Sequence, residues 1–483
     1  MPVSSYKHIL KYTGLFGSVQ FLGMATSIVR NKLTAVLIGA AGMGISELYF
    51  RTANFLSNAC NLGLGFSAIR KLSENFEDTS DVNRAHYVKL IRSWVMLTAA
   101  LAFLLTLAFA PLLSHLAGAS GQRVAGFMAL APMVALMILQ GGELAVLKGL
   151  RRLRELAKSA VQATIITLFS TIGIYLWLGM AGILPVLIVA ALVNLLTTLH
   201  YSTRYVPYRL SFGKWRFFKQ GIPLVRLGMA YVVAGIASTG AELLVRYYFA
   251  SIASEVEVGL YAAGLTLTVS YARMVFIAMD SDFFPQLSAV VENPVSKNQL
   301  ISRQTDVLIL LITPFLLLFS LLLPVIVPLI YTGEFIVVVP MVNAALLYMF
   351  FKAAYLPMAY LPLAAGHPVT YMTMEVIYDA EMVVCVVAGY HLGGLTGAGI
   401  GLSVANLLDL LAIMAVYIPR YKLKLERNVV LRSLMQFLLL TLGLALSFAE
   451  LSLPVYGLRV GCLVLSAGIT FYFLWHKSGF RLH

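Results

Sequence analysis

"IVRNKLTAVLIGAAGMGISELY" (residues 28–49) decides how this chain folds. Two apolar arms meet at the glycine-rich turn 39–42, with Arg30 about nine residues before it and Arg51 about nine after it. A cation at membrane depth costs roughly 2.5–3.5 kcal/mol on insertion scales. At 1.5 Å per residue both guanidiniums lie ~13 Å in from the turn, on neighbouring antiparallel helices. The hairpin is therefore either no membrane hairpin at all, or one whose arms face something wetter than lipid.

The rest of the chain settles for the membrane. Of 483 residues 60% are hydrophobic and only 12% charged, against about 45–50% and about 25% in soluble domains. Apolar runs near the ~20-residue spanning length recur from 12–38 and 43–68 to 431–449 and 455–475, about fourteen in all. The fold class expected is an all-α polytopic membrane protein. Lys7 and Lys11, Arg84 and Arg92, Arg151 to Arg154, Arg209 to Lys219, Lys297, and Arg420 to Arg432 fall in alternate loops. The turns 39–42, 179–182, 251–257, 332–335 and 392–395 hold no Lys or Arg. That asymmetry predicts a multi-pass protein with both termini cytoplasmic. The net charge of +14 then suits an anionic inner leaflet and needs no nucleic acid. The first apolar run is too long for a cleavable signal peptide and is expected to stay as a helix. Cys60, Cys385 and Cys462 lie far apart in apolar segments, without ligand or disulfide spacing.

An internal repeat divides the chain. "LVRYYFASIASEVEVGLYAAGL" (244–265) follows the opening stretch by about 216 residues: Arg, short turn, then Gly44-Ile45 or Gly259-Leu260 beginning the next helix. "KLSE" (71–74) and "QLSA" (286–289) close the two copies. Internal repeats are a hallmark of secondary transporters. The expected division is 1–215 (helices 1–6), 216–420 (helices 7–12) and an appended pair, helices 13–14, in 421–483. The basic, aromatic segment 204–223 joins the two halves.

Charged and polar residues inside the spans fall on stripes. Gln20, Gly23, Ser27, Arg30 and Thr34 recur at three- and four-residue steps, as do Glu47, Arg51, Asn54, Asn58 and Asn61. Lipid satisfies neither face, so each meets helices or water. Packing by amides explains the asparagines as well as a cavity does; for Arg30 and Arg51 together a hydrated cavity is the better reading. Glu47–Arg51 and Glu242–Arg246 have the i,i+4 order of an intrahelical pair. Arg273 shares a face with Thr266 and Ser270, and Lys352 with Tyr348 and Tyr355; Lys32 lies off the first stripe. Asp280 and Asp282, Glu375 and Asp379, Glu381, and Asp409 beside Asn406 are acids that suit either ion coupling or a buried ion-pair network. No His/Asp/Ser or metal-ligand spacing points to an enzyme. "GAAGMG" (39–44) has no strand before it and reads as a turn.

The opening "YTGLFGS" and the stretch through "ISELY" (12–49) resemble the amino-terminal region of bacterial O-antigen and polysaccharide flippases. So do "LKGLRRLRELAKS" (147–159), "VGLYAAGLTLTVSYARMVFIAMDSDFFPQLS" (258–288) and "YTGEF" (331–335). The resemblance implies two pseudo-symmetric six-helix bundles in a V plus the carboxyl-terminal pair, the architecture of the multidrug/oligosaccharidyl-lipid/polysaccharide exporter superfamily. It implies an inner-membrane protein of surface polysaccharide or lipopolysaccharide biosynthesis. Its substrate would be an undecaprenyl-diphosphate-linked oligosaccharide, moved between leaflets by alternating access, with polysaccharide polymerase and glycosyltransferases as partners. A cationic central cavity is carried over to Arg30, Arg51 and Arg273, then Arg246, Lys32 and Lys352, lined further by Gln20, Ser27, Glu47, Asn54 and Asn58. No cofactor is implied; coupling to H+ or Na+ would fall to Asp280, Glu375 and Asp379. A cation or multidrug antiporter of the same fold and a non-transporting scaffold of glycan assembly are the rival readings.

Overall fold

The structure is a computed structural model describing residues 3–74, 81–118, 123–210, 215–270, 276, 283–284, 286–450 and 452–478. The side chains of 3–21, 73–74, 81–84, 215–220, 224, 226–231, 234, 270 and 476–478 are excepted. Among the described residues every regular element is helical. Nine stretches are long and apolar enough to cross a membrane, and three of these, Leu22–Cys60, Leu153–Thr203 and Pro368–Tyr421, hold two arms each. The observed layout is the one that the apolar runs predict.

Contacts divide the chain into two units, Met1–Gly259 with Ile330–Thr332, and Leu260–Leu329 with Gly333–His483. The first contains α1 (Val3–Cys60), α2 (Leu64–Glu74), α3 (Asp81–Leu116), α4 (Ala131–Gly149), α5 (Leu153–Leu178), α6 (Ile183–Thr203) and α7 (Trp215–Ile252). The α1 helix breaks at Gly39, whose φ of +65° is left-handed and open to glycine without strain. Its arms lie alongside each other, so that Arg30 comes within electrostatic reach of Glu47. Small and aromatic side chains fill the core: Ala53, Ala102, Phe127 and Val134 are fully buried, and Tyr49 meets Phe127 edge-on at 5.2 Å.

At the Gly39 end the two repeat copies touch main chain to main chain. A Cβ on Gly44 would overlap the carbonyl oxygen of Glu255, and one on Gly259 would overlap that of Ala40. The pairs are reciprocal, because 40 and 44 correspond to 255 and 259 in the repeat. Beside this seam Lys32 donates to the carbonyl of Tyr331 and Arg123 pairs with Glu255.

Several cations that the sequence places in loops are built into the units instead. Arg92, 2% exposed, forms a two-pronged pair with Glu143 at 2.7 and 2.9 Å. It also donates to the carbonyls of Val206 and Pro207 at 3.0 and 2.9 Å and lies 4.9 Å from the Tyr208 ring. One guanidinium thus clamps the start of the segment joining α6 to α7. The positive-inside pattern hides this, because a cation near a helix end looks the same whether it faces water or a carboxylate.

The second unit contains α8 from Leu260 onward (Glu255–Leu265), α9 (Pro294–Ile330, to Leu329), α10 (Val339–Ala359), α11 (Pro368–Tyr421), α12 (Arg427–Ala445) and α13 (Leu453–Ser478). The α11 helix turns back at Gly393 and Gly394, the latter at φ +56°. Its arms pack closely because Gly389 faces the carbonyl of Gly397 and Gly401 that of Cys385. The carboxyl-terminal pair is tied into the unit by polar contacts. Arg432 grips Asp306 at 2.8 and 2.9 Å, Thr470 donates to the Leu310 carbonyl at 2.6 Å, and Arg459 donates to Ser320 at 2.9 Å. Lys297 donates to the Tyr421 carbonyl at 2.8 Å. Arg432 and Lys297, too, are buried rather than loop cations.

Candidate functional site

Within the first unit, the first arm of α1 faces α5 and α6 across a cavity of about 190 Å³. Thr26, Ser27 and Arg30 line it from α1, Thr164 and Thr167 from α5, and Asn194 from α6. These positions share one depth. Arg30 lies nine residues before Gly39, Thr167 twelve before Gly179, and Asn194 twelve after Gly182. At 1.5 Å per residue that is ~13–18 Å from the turns, near the middle of a ~30 Å hydrocarbon layer. Water's share of liquid volume is ~30 Å³, so the space admits several waters or a small polar group.

Arg30 makes no hydrogen bond and no ion pair with the described residues. Tyr175 and Glu47 are close enough to act on it electrostatically, but neither they nor any other ionisable residue joins it in the cavity wall. Its five N–H donors are therefore offered to whatever enters.

The other cations of this unit are placed differently. Arg51 donates to Glu47 at 2.7 Å and also to Glu242. Arg246 reaches the same Glu47 at 2.9 Å, with its Glu242 partner at 4.0 Å and the Glu242 carbonyl at 2.8 Å. The intrahelical pairs expected for Glu47–Arg51 and Glu242–Arg246 are both present, at 2.7 and 4.0 Å, and each arginine also reaches the acid of the other helix, so that both bridge α1 and α7. The square of two acids and two bases is neutral. Arg246 is 2% exposed whereas Arg51 and Glu242 are 29% and 40% exposed, so one edge of the square is open. Asn54 and Asn58 are half-buried on the same arm and do not line the cavity. The side chain of Gln20, and residues Arg273, Asp280 and Asp282, lie outside the described residues.

In the second unit a polar network crosses α10 and both arms of α11. Lys352 donates to the Tyr348 hydroxyl at 3.3 Å, Tyr355 donates to Asn406 at 3.1 Å, and Asn406 donates to Tyr378 at 3.2 Å. Asp409, 4% exposed, shares the Tyr355 hydroxyl and lies within electrostatic reach of Lys352. Asp379 is buried, whereas Glu375 is exposed and bonded to Tyr371. The sequence brings Lys352, Tyr348 and Tyr355 onto one face, as observed; it does not reveal that Asn406 is their bridge. Nor does it single out Thr164, Thr167 and Asn194. The signal available was a lone asparagine in the apolar helix 183–203, and hydroxyls three apart on the helix before it.

No curated protein matches the chain in sequence. Among solved structures, "Lipid II flippase MurJ, inward closed conformation" superposes with a TM-score of 0.70 at 12% identity, over 97% of this chain and 99% of that one. An inward-facing multidrug resistance MATE family transporter of the MOP superfamily gives 0.64 at 13% identity, over 83% and 94%. A point mutant of the Vibrio cholerae MATE transporter VcmN gives 0.58 at 14% identity, over 85% and 97%. The fold is that of these all-helical transporters, in a multi-pass membrane protein. A family profile described as polysaccharide biosynthesis protein matches residues 9–291. With more than half of its length matched, the chain belongs to the polysaccharide biosynthesis protein family.

Proposed function

We propose that this protein is a flippase that carries a polyprenyl-diphosphate-linked oligosaccharide, an O-antigen or other surface-polysaccharide repeat unit, from the inner to the outer leaflet of the bacterial inner membrane. The observation that carries the reading is Arg30: a guanidinium without a partner among the described residues, at mid-membrane depth, in a polar cavity with no carboxylate in its wall. At an effective dielectric of ~20, one charge pair at 4 Å contributes ~4 kcal/mol. A diphosphate passing Arg30 regains much of the hydration it leaves behind, and arginine's planar fork suits its oxygens. Membership of the polysaccharide family and the lipid II flippase fold support the substrate class. The open edge at Arg51 offers a second cation, while Arg246 serves to hold Glu47 in place.

Transport in this reading proceeds by alternating access with both termini cytoplasmic, and the flipped unit passes to a polymerase. Coupling to H+ or Na+ falls to the buried acids of the second unit, Asp379 with Asp409 and its Tyr355–Asn406 partners, more than to the exposed Glu375. A cation antiporter needs carboxylates where its substrate sits, and the Arg30 cavity offers a cation instead.

The deciding experiment is complementation of a flippase-null strain, scoring surface glycan and membrane abundance together. Wild type restores glycan; Arg30→Ala does not, at normal abundance. Full restoration by Arg30→Ala sinks the reading and leaves a scaffold role.

A further inference from the structure

We infer that the wall facing Arg30, formed by Thr164 and Thr167 on α5 with Asn194 on α6, is a saccharide subsite. It takes the sugar joined to the diphosphate that Arg30 holds, and so rests on the flippase reading. The argument is one of donors and acceptors. Thr26 and Thr164 give their hydroxyl protons to the carbonyls of Leu22 and Ala160, both at 2.8 Å, and Asn194 gives one of its two amide protons to the carbonyl of Ala190 at 2.7 Å. What the two threonines turn toward a ligand is acceptor oxygen, while Asn194 keeps its acceptor oxygen and its second N–H. Ser27 and Thr167 have hydroxyls with no partner among the described residues, so they also donate. Thr167 is 8% exposed, and a buried hydroxyl left unpaired is destabilising unless something else satisfies it.

A phosphate oxygen only accepts. It uses Arg30, Ser27, Thr167 and the second N–H of Asn194 but has nothing to give Thr26, Thr164 or the Asn194 carbonyl oxygen. An organic cation meets the like charge of Arg30, and an apolar drug uses none of these groups. Sugar hydroxyls donate and accept at once, and they match the whole wall. Spacing agrees: Thr26 lies one helical turn from Arg30, ~6 Å along the axis, the separation of a phosphate from the ring bonded to it. Ala163 and Leu168 complete the lining with apolar surface for the ring's C–H face.

The test uses the purified full chain in nanodiscs and two probes, undecaprenyl diphosphate and the same lipid carrying one N-acetylhexosamine, with Kd read by native mass spectrometry. Wild type is expected to prefer the glycosylated probe about tenfold, the discrimination that one or two hydrogen bonds supply. Thr164→Val with Thr167→Val brings that ratio to about one. Thr167→Val alone lowers it about threefold and melts no lower than wild type, because it deletes a hydroxyl that nothing among the described residues holds. Arg30→Ala weakens both probes together. A double variant that keeps the wild-type ratio, or a wild type without preference, overturns the subsite while leaving the flippase reading intact. If wild type binds neither probe, or Arg30→Ala binds both as wild type does, the flippase reading falls and the subsite with it.

Discussion

Arg30 and Arg246 hold the same place in the two copies of the repeat, yet one faces a cavity without a partner among the described residues and the other is buried in a square of charges. Glu47 makes the difference. It lies on the arm that pairs with Arg30, but it turns to Arg51 and Arg246. A duplicated cation can thus be kept for two ends, one to meet a ligand and one to hold the helices that surround it. Position in a repeat predicts depth; the neighbouring acid decides the role.

That contrast can be broken at either end. The largest effect is expected from Glu47→Gln, which leaves a buried guanidinium short of its main carboxylate. Unpairing a buried charge costs about 3–5 kcal/mol, read as a fall in unfolding free energy in detergent. Adding Arg246→Met recovers part of it if the square is structural. Next is Arg30→Ala, expected to lower flipping in proteoliposomes about a hundredfold, ~2.7 kcal/mol, with the melting temperature unchanged. A large fall in melting temperature would place Arg30 with Arg246 as a structural residue. Lys32→Met removes one hydrogen bond to the Tyr331 carbonyl and is expected to cost about 1 kcal/mol of stability. Smallest is Glu242→Gln, whose partner Arg51 is itself part-exposed; an exposed pair contributes about 0.2–1 kcal/mol, and high salt should erase the difference.

Helix layout was legible in the sequence because it depends on apolar length and on turns at Gly39 and Gly394, which leave a signal in composition and spacing. The depth of Arg30 was legible for the same reason. Partner choice was not. Glu242 stands four residues before Arg246 and pairs with it at 4.0 Å as the spacing predicts, but spacing does not reveal that the same carboxylate also reaches Arg51 on the other helix. Likewise Arg92 and Arg432 carry the charge pattern of loop cations while each grips a buried acid, Glu143 and Asp306, more than fifty residues distant in sequence. Threonine escaped notice because in helices it commonly bonds the carbonyl a turn behind; only the geometry shows that Thr167 does not.

The seam at Gly44 and Gly259 has a mechanical consequence. Because bare backbone meets bare backbone, the contact freezes no side-chain rotamers and carries none of their entropy cost. It also behaves as a feeler gauge. A single methyl, as in Gly44→Ala, is too thick for the contact and must push the two backbones apart.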